Sequence, residues 1–302
     1  MEHYRSYRAY VRRRFGAAVL KIPVNAGFSC PNRDGKKSTQ GCLFCDNRSF
    51  SPVADTTYSI QAQIERVIAH AAPKYSAFIV YLQPFSNTYG SVEQLASVYE
   101  PIIALPQVVG LAIGTRPDCF SEEVYDYLHD LSKRTYLSIE IGLQSAHDET
   151  LVAYNRGHTA EDFRRCVMSL SSRDIETVAH VMLGLAPEGA VMMMDTARFV
   201  ANLPVTGIKI HQLMVISGTP LERRYLENGF HCLTLEEYAS LVCRFVAFVR
   251  PDQFMHRIVA DSTPARGLIA PLWSAEKMKA LHYIHVMMDK EKTVQGSAWK
   301  NT

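Results

Sequence analysis

Three cysteines whose spacing suits a metal centre lie in one glycine-containing loop: Cys30, Cys42 and Cys45. Eleven residues separate the first two, and two residues separate the second from the third. Thiolates separated by two residues can bind one metal centre together, and a third that reaches back across the loop makes three ligands. The other four of the seven cysteines are dispersed along the chain, so no fourth thiolate stands nearby in the sequence.

Three thiolate ligands are compatible with more than one kind of site. On a [4Fe–4S] cluster, the iron without a protein ligand could bind the amino and carboxylate groups of S-adenosylmethionine (SAM). A zinc ion completed by a distant histidine or by water is the rival metal site. Cys42 and Cys45 could instead be small core residues with no shared role. The spacing alone leaves these alternatives open.

A repeated alternation of strands and helices must position this loop. Short apolar runs predict six strands, at residues 19–24, 77–82, 108–113, 136–141, 178–183 and 207–213. Amphipathic stretches between them predict helices, so the pattern indicates an α/β fold built on a parallel sheet, either a partial (β/α) barrel or a doubly wound sheet. We expect a barrel over residues 18–215, a basic and aromatic N-terminal extension over 1–17, and a C-terminal extension over 216–302 that packs on or caps the barrel.

Composition excludes several classes of protein. Of 302 residues, 47% are hydrophobic and 21% are charged, which is ordinary for a globular protein. The formal net charge of +2 gives no overall attraction to nucleic acid. No run approaches the ~18 apolar residues that a membrane helix needs, and the N-terminus has no secretory signal. Seven cysteines without an export signal predict a reducing, cytoplasmic environment, where clustered cysteines more often bind metal than form disulfides.

Polar residues recur where the predicted strands end. In parallel sheets, ligand-binding side chains lie at the carboxyl ends of strands and in the loops that follow. The cysteine loop falls there, and so do residues 83–88, 114–118, 140–144, 184–188 and 211. Glu140 ends an otherwise apolar strand, and a carboxylate at such a position needs either an exposed mouth or a partner. Ribose hydroxyls and a neighbouring arginine are the two candidate partners.

Six ordered motifs resemble the radical-SAM superfamily and, within it, the YhcC-like (YtqA-like) subgroup with wide Cys-x11-Cys-x2-Cys spacing. That subgroup is distantly similar to the radical-SAM domain of Elongator protein 3. The motifs are GFSCPNRDG at 27–35, GTRPDC at 114–119, EIGLQSAHD at 140–148, NRGH at 155–158, GIKIH at 207–211 and APLW at 270–273. The resemblance covers nearly the whole chain.

The resemblance implies a fold, two cofactors and a reaction. The fold is a partial (β/α)6 TIM-type barrel with terminal extensions, and SAM lies across its open top. A [4Fe–4S] cluster on Cys30, Cys42 and Cys45 passes an electron to SAM, giving methionine and a 5′-deoxyadenosyl radical that abstracts hydrogen from a substrate. An external electron donor such as flavodoxin or ferredoxin is implied as a partner. Whether SAM is consumed or regenerated, and the oligomeric state, stay open.

The resemblance also implies roles for individual side chains. Phe44 matches the aromatic position against the adenine, and Gln83 or a backbone carbonyl would replace the missing Gly-Gly-Glu contact to the SAM amino group. The remaining expected cofactor-binding residues are Arg116, Glu140, Gln144, Arg156 and Gly184. Asp118 and His211 are the expected catalytic residues at the barrel mouth, where either could act as an acid or base. An Asp in a proline turn often only caps backbone N–H groups, and a histidine often only binds backbone.

The substrate is less well defined by the sequence. The resemblance implies tRNA-modification metabolism, either cleavage of a free modified base such as queuine during salvage, by a lyase-type reaction, or remodelling of a wobble-uridine side chain on tRNA. Near-neutral charge favours the small molecule. The interleaved Tyr and Arg residues of the N-terminus suit RNA, but they also suit a helix that packs its tyrosines on the barrel and leaves its arginines in water. A non-catalytic zinc- or SAM-binding module is the alternative from another class.

Overall fold

The computed structural model describes residues 2–300 of the chain. Seven parallel strands form one curled sheet in the order β1-β2-β3-β4-β5-β6-β8, and β7 pairs antiparallel with β9. The strands are β1 (Val19–Val24), β2 (Ala77–Leu82), β3 (Val108–Thr115), β4 (Tyr136–Gln144), β5 (Glu176–Leu183), β6 (Gly207–Gln212), β7 (Val215–Ile216), β8 (Phe254–Arg257) and β9 (Leu268–Ala270).

Helices cover the outer face of the curled sheet, as expected for strand–helix alternation. They are α1 (Tyr7–Phe15), α2 (Asn47–Phe50), α3 (Ile60–Ala71), α4 (Val92–Ile103), α5 (Glu122–Ser132), α6 (Asp148–Ala153), α7 (Ala160–Ser171), α8 (Ala190–Ala201), α9 (Pro220–Asn228), α10 (Leu235–Phe248) and α11 (Lys277–Lys290). In the part of the chain just described, no helix combines the length and the apolar character needed to cross a membrane.

The predicted partial barrel is confirmed, with one more strand than the six expected. β8 pairs parallel with β6, so part of the expected C-terminal extension continues the barrel sheet. The apolar strand signals located β1 to β6 because parallel strands are buried on both faces, and all six residues of β2 are indeed buried. β8 is only four residues long and has two partly exposed residues, so its sequence signal is weak.

The N-terminal helix α1 closes the amino-terminal end of the barrel. Ser6 caps the helix by accepting a hydrogen bond from the backbone N–H of Ala9, at 3.3 Å. Its apolar side chains pack against barrel residues that include Tyr136, the first residue of β4. The backbone before α1 forms a parallel bridge to Met255, so this segment also connects the two edges of the half-barrel, at β1 and β8.

Candidate active site

An open cavity lies at the carboxyl-terminal edge of the sheet. Its open volume is about 1170 Å³, a figure that includes the solvent-filled mouth. Ten of the twelve residues predicted for the site line this cavity: Cys30, Cys42, Phe44, Cys45, Gln83, Arg116, Glu140, Gln144, Arg156 and His211. Segments that are far apart in the chain therefore meet at one cavity.

Backbone hydrogen bonds hold the cysteine loop in place without regular secondary structure. The carbonyl of Cys30 accepts from the N–H groups of Arg33 and Asp34, at 2.8 and 3.1 Å, and Cys45 N–H donates to the Cys42 carbonyl at 2.9 Å. The Asn155 side chain donates to the Gly41 carbonyl at 2.7 Å. These contacts attach the loop to the segment that follows α6, so all three thiols face the cavity.

The donor set suits a cluster better than a single ion. All seven cysteines are free thiols. Within residues 2–300, no three or more His, Cys, Asp or Glu side chains converge on a point that one metal ion could occupy. Four irons spread their ligands more widely than one ion does, so three thiols on the wall of one cavity fit a [4Fe–4S] cluster.

Arginines make the environment of the cysteines strongly positive. Cys42 Sγ accepts from Arg156 Nη1 at 3.1 Å. Burial opposes ionisation of Cys42, but Arg156 and Arg116 outweigh it and lower the pKa of this thiol. Burial and the neighbouring Cys42 raise the pKa of Cys45 to about 11. Arg33 donates to the Cys45 carbonyl. Since metal binding requires thiolates, these cations favour loading of the anionic cluster.

Two of these arginines have buried nitrogens without a hydrogen-bond partner. Arg156 Nε and Arg116 Nη1 are both buried and unsatisfied within the described chain. Buried guanidinium nitrogens normally have an acceptor, so these two atoms are available to donate hydrogen bonds to an anion in the cavity. The resemblance implies that Arg156 contacts the SAM carboxylate, and an open guanidinium nitrogen is compatible with that contact.

The end of β4 is shaped to bring Arg156 and Gln144 together. Arg156 Nη2 donates to the Gly142 carbonyl at 2.7 Å. A Cβ at Gly142 would stand 2.8 Å from both Arg156 Nη2 and Gln144 Nε2, so a larger residue here would displace these two side chains. Gln144 has a φ of 78° at the point where the pairing of β4 with β5 shifts register, which turns its side chain to the cavity.

Phe44 and Gln83 lie on the cavity wall as expected. The Phe44 ring packs near Tyr154, with the ring centroids 6.1 Å apart. The Gln83 amide donates to the Phe50 carbonyl at 3.2 Å. Their positions are compatible with the adenine and amino-group contacts that the resemblance implies, and those contacts stay predictions.

Asp118 does not line the cavity, unlike the other expected catalytic residue. Its two carboxylate oxygens accept from Arg116 Nε and Nη2, each at 2.9 Å, and Lys37 Nζ lies 2.6 Å away. A carboxylate with these two cations as partners holds Arg116 in place and is not free to take a proton from a substrate. Asp118 is therefore a positioning residue for Arg116 in this structure.

We expect Asp118→Asn to destabilise the chain in a pH-dependent way. Burial opposes ionisation of Asp118, but Arg116 and Lys37 outweigh it and lower the pKa from 3.8 to about 2. That shift corresponds to about 2 kcal/mol of stability, fully present above pH ~4 and lost as the pH falls through ~2. Urea unfolding of the cluster-free chain should show this gap at pH 7 and its narrowing by pH 3.

The exposed Asp130, which pairs with Lys133, provides the control for this prediction. Asp130→Asn should change the free energy of unfolding by no more than about 0.5 kcal/mol. An Asp118→Asn variant as stable as wild type at pH 7 would show that the Arg116 contact contributes no stability.

Gly184 also departs from its expected role. Its φ of 91° requires glycine, but a Cβ there would meet Leu233 Cδ1 at 3.0 Å, and the residue does not line the cavity. The close approach at this glycine is therefore to Leu233, where the segment before α10 packs on the loop after β5.

Glu140 lies deep in the barrel and is held by three cationic or polar side chains. Lys21 and Lys209 both bind its carboxylate, and His180 Nε2 lies 3.1 Å from Oε2. Burial opposes ionisation, but the lysines outweigh it and hold the pKa of Glu140 well below its ordinary value. The sequence left two partners open for Glu140, ribose hydroxyls or an arginine. The structure contains an ion pair, and the cations are lysines in place of the arginine.

Three lumen residues were not predicted as part of the site: Lys21, Lys209 and Arg257. Lys21 and Lys209 each interrupt an apolar strand at an inward-facing position. A charged residue inside such a strand is the signal that could have found them. Arg257 Nη2 contacts the His211 imidazole, 3.2 Å from Nδ1, and both residues line the cavity.

Comparison with known families agrees with this architecture. The model of the Radical SAM superfamily matches residues 33–200, more than half of the chain, and the model of the Radical_SAM C-terminal domain matches residues 205–290. The chain belongs to the Radical SAM superfamily. Membership implies a [4Fe–4S] cluster and SAM as cofactors, and the cavity described above has the thiols and arginines to hold them.

Two similar proteins span nearly the same length as this chain, and a third matches over about half of it. The chain is 36% identical over 298 residues to the uncharacterized protein YtqA of Bacillus subtilis (98% of this chain, 92% of that protein). It is 33% identical over 287 residues to protein YhcC of Escherichia coli (95% and 92%). Elongator complex protein 3 of Saccharomyces cerevisiae is 28% identical over 163 residues, which is 52% of this chain and 28% of that protein.

Solved structures share the fold. The archaeal Elp3 of Methanocaldococcus infernus superposes with a TM-score of 0.65 at 16% identity, over 92% of this chain and 64% of that chain. Coproporphyrinogen III oxidase (HemN) of Escherichia coli superposes with a TM-score of 0.52 at 14% identity, over 76% and 51%. At these identities the likeness concerns the fold alone.

Proposed function

We propose that this chain is a SAM radical enzyme that acts on a modified nucleobase or nucleoside of tRNA-modification or salvage metabolism, for example in queuine cleavage. The observation that carries the proposal is the single cavity in which three thiols, two arginines with unsatisfied nitrogens, and the barrel lumen meet. When bound, the cluster and SAM supply one-electron chemistry and a hydrogen-abstracting group.

The side chains of this protein bind and orient the cofactors and shield the reacting atoms from water. Cys30, Cys42 and Cys45 would hold the cluster, and Arg156 and Arg116 would donate from their unpaired nitrogens to the SAM carboxylate. Phe44 supports the adenine. The lumen beneath, closed at its other end by α1, excludes water from the reacting atoms. His211, at the end of β6, is the residue placed to contact a substrate in the lumen.

The position of α1 favours a small molecule over tRNA. Arg8, Arg12, Arg13 and Arg14 are exposed on α1, and that helix packs against residues at the amino-terminal end of the strands. Phosphates bound there would lie at the opposite end of the barrel from the cavity. The Tyr and Arg residues of the N-terminus therefore give no support for RNA binding at the cavity.

The second candidate is remodelling of a wobble-uridine side chain on tRNA. It is favoured by the similarity to Elongator complex protein 3, which covers 52% of this chain. A non-catalytic zinc- or SAM-binding module is the candidate from another class.

One assay separates these functions. The anaerobically reconstituted protein, reduced with dithionite in the presence of SAM, is given modified bases, nucleosides and tRNAs, and the products are read by mass spectrometry. We expect a free base or nucleoside to accelerate 5′-deoxyadenosine formation and to be converted. Conversion of tRNA alone, together with tRNA binding that weakens steeply with salt, would contradict the proposal.

A further inference from the structure

The barrel lumen below the cavity carries more positive than negative charge. Glu140 is shared by Lys21 and Lys209, so one carboxylate serves two buried or half-buried ammonium groups. His180 Nε2 also contacts this carboxylate, 3.1 Å from Oε2. The Glu140 oxygens are therefore occupied, and the lumen retains positive charge that this carboxylate does not balance.

Arg257 adds a third cation that lacks an anionic partner. Among residues 2–300, no carboxylate lies within 4.0 Å of its guanidinium nitrogens. Its Nε is buried without a hydrogen-bond partner, and its Nη2 contacts only the imidazole of His211. The side chain lines the cavity from β8, across the lumen from β2 and β3. A partly buried guanidinium with open donors is a site for an anion, since its planar fork binds carboxylate and phosphate oxygens in pairs.

Burial and the neighbouring cations lower the pKa of both histidines of the lumen, His180 and His211. Burial, followed by Lys209, lowers the pKa of His180 to about 4. Burial, followed by Arg257, lowers the pKa of His211 well below its ordinary value. Both rings are neutral near pH 7, so each carries one N–H donor. The donor of His180 is used on Glu140, whereas His211 accepts from Arg257 on one nitrogen and can donate from the other to an anion.

We propose that the lumen binds an anionic group of the substrate, a carboxylate or a phosphate, on Arg257 with His211 as a second donor. The inference rests on the proposed function in that the substrate enters this cavity, and it narrows the substrate to one that carries such a group. Within the proposed class, this favours a base or nucleoside that carries a carboxylate or phosphate over queuine, whose only charge is an amine, because Glu140 is already saturated by its two lysines and His180. The anion holds the substrate below the cofactor positions, with its uncharged part toward the cysteine loop.

The test uses the cluster-reconstituted protein loaded with SAM and kept unreduced, so that no turnover occurs. SAM occupies Arg116 and Arg156, which leaves Arg257 as the cation to be probed. Inorganic phosphate and acetate are titrated by calorimetry and by thermal unfolding at constant ionic strength, with chloride as the reference salt. We expect at least one of the two anions to bind wild type at least tenfold more tightly than Arg257→Gln. The anion that binds identifies the group that the substrate carries.

Two further variants make the result decisive. Arg257→Lys keeps the charge and should retain part of the affinity, and Arg165→Gln, which removes an exposed arginine of α7, should bind like wild type. The proposal is overturned by a wild type that does not distinguish phosphate or acetate from chloride, or by an Arg257→Gln variant with unchanged affinity. Because binding is measured without reduction, this outcome is separate from the formation of 5′-deoxyadenosine, which tests the proposed function.

Discussion

Cys42→Ala is expected to abolish cluster loading and SAM cleavage. Cys42 is buried, and Arg156 and Arg116 lower the pKa of its thiol, so it is the cysteine best prepared to bind iron as a thiolate. Removing one of three ligands leaves too few to hold a cluster that already has one open iron. After anaerobic reconstitution, iron content and the brown absorbance should fall to background, and 5′-deoxyadenosine should fall to the level of protein-free solution.

Cys243→Ala is the matched control for Cys42→Ala. Cys243 is also buried, but it packs in the core from α10 and does not line the cavity. This variant should keep the cluster and the activity while losing only a little stability. A Cys42→Ala protein that retains iron and forms 5′-deoxyadenosine would show that the cluster is bound elsewhere.

Glu140→Gln is expected to cause the largest loss of stability of any single polar change in the lumen. The carboxylate is fully buried between Lys21 and Lys209, so its removal leaves Lys21 without its counterion. Burial already lowers the pKa of Lys209 to about 7, so without Glu140 this amine must lose its proton or stay buried as an unpaired charge. Breaking a buried ion pair in this way costs about 3–5 kcal/mol. Chemical denaturation at pH 7 should show this loss, and the SAM affinity of the protein that remains folded should change little.

A double variant separates charge imbalance from other effects of the substitution. Lys209→Met in the Glu140→Gln background removes a buried amine that has lost its carboxylate partner and should recover part of the lost stability. The exposed Glu161, paired with Arg164 on α7, supplies the control, since Glu161→Gln should cost less than about 1 kcal/mol. If Glu140→Gln instead leaves stability unchanged and weakens SAM binding, the ribose contact expected from the sequence would be correct.

Much of the fold could be predicted because parallel strands carry a strong local signal. A run of buried apolar residues such as 77–82 has the composition of a strand wherever it occurs. The sequence shows a strand-like run at 256–260, but β8 covers Phe254–Arg257 and its place in the sheet depends on pairing with β6, so its membership of the barrel sheet was not predicted.

The candidate site was predictable in outline because strand ends define one edge of the sheet. The placement of ten expected residues around one cavity follows from that rule. Asp118 fell outside it because its carboxylate turns to Arg116 and Lys37, and Gly184 because it packs against the distant Leu233. The Glu140 network was missed because Lys21 and Lys209 come from the first and sixth strands and meet only across the barrel.

The most direct test of the central claim is SAM cleavage by the anaerobically reconstituted protein. The protein is mixed with SAM and dithionite, and 5′-deoxyadenosine and methionine are measured together with bound iron. We predict a brown protein with about four irons per chain that forms both products, as expected for one [4Fe–4S] cluster. A colourless protein that binds one zinc and leaves SAM intact after reduction would contradict the account.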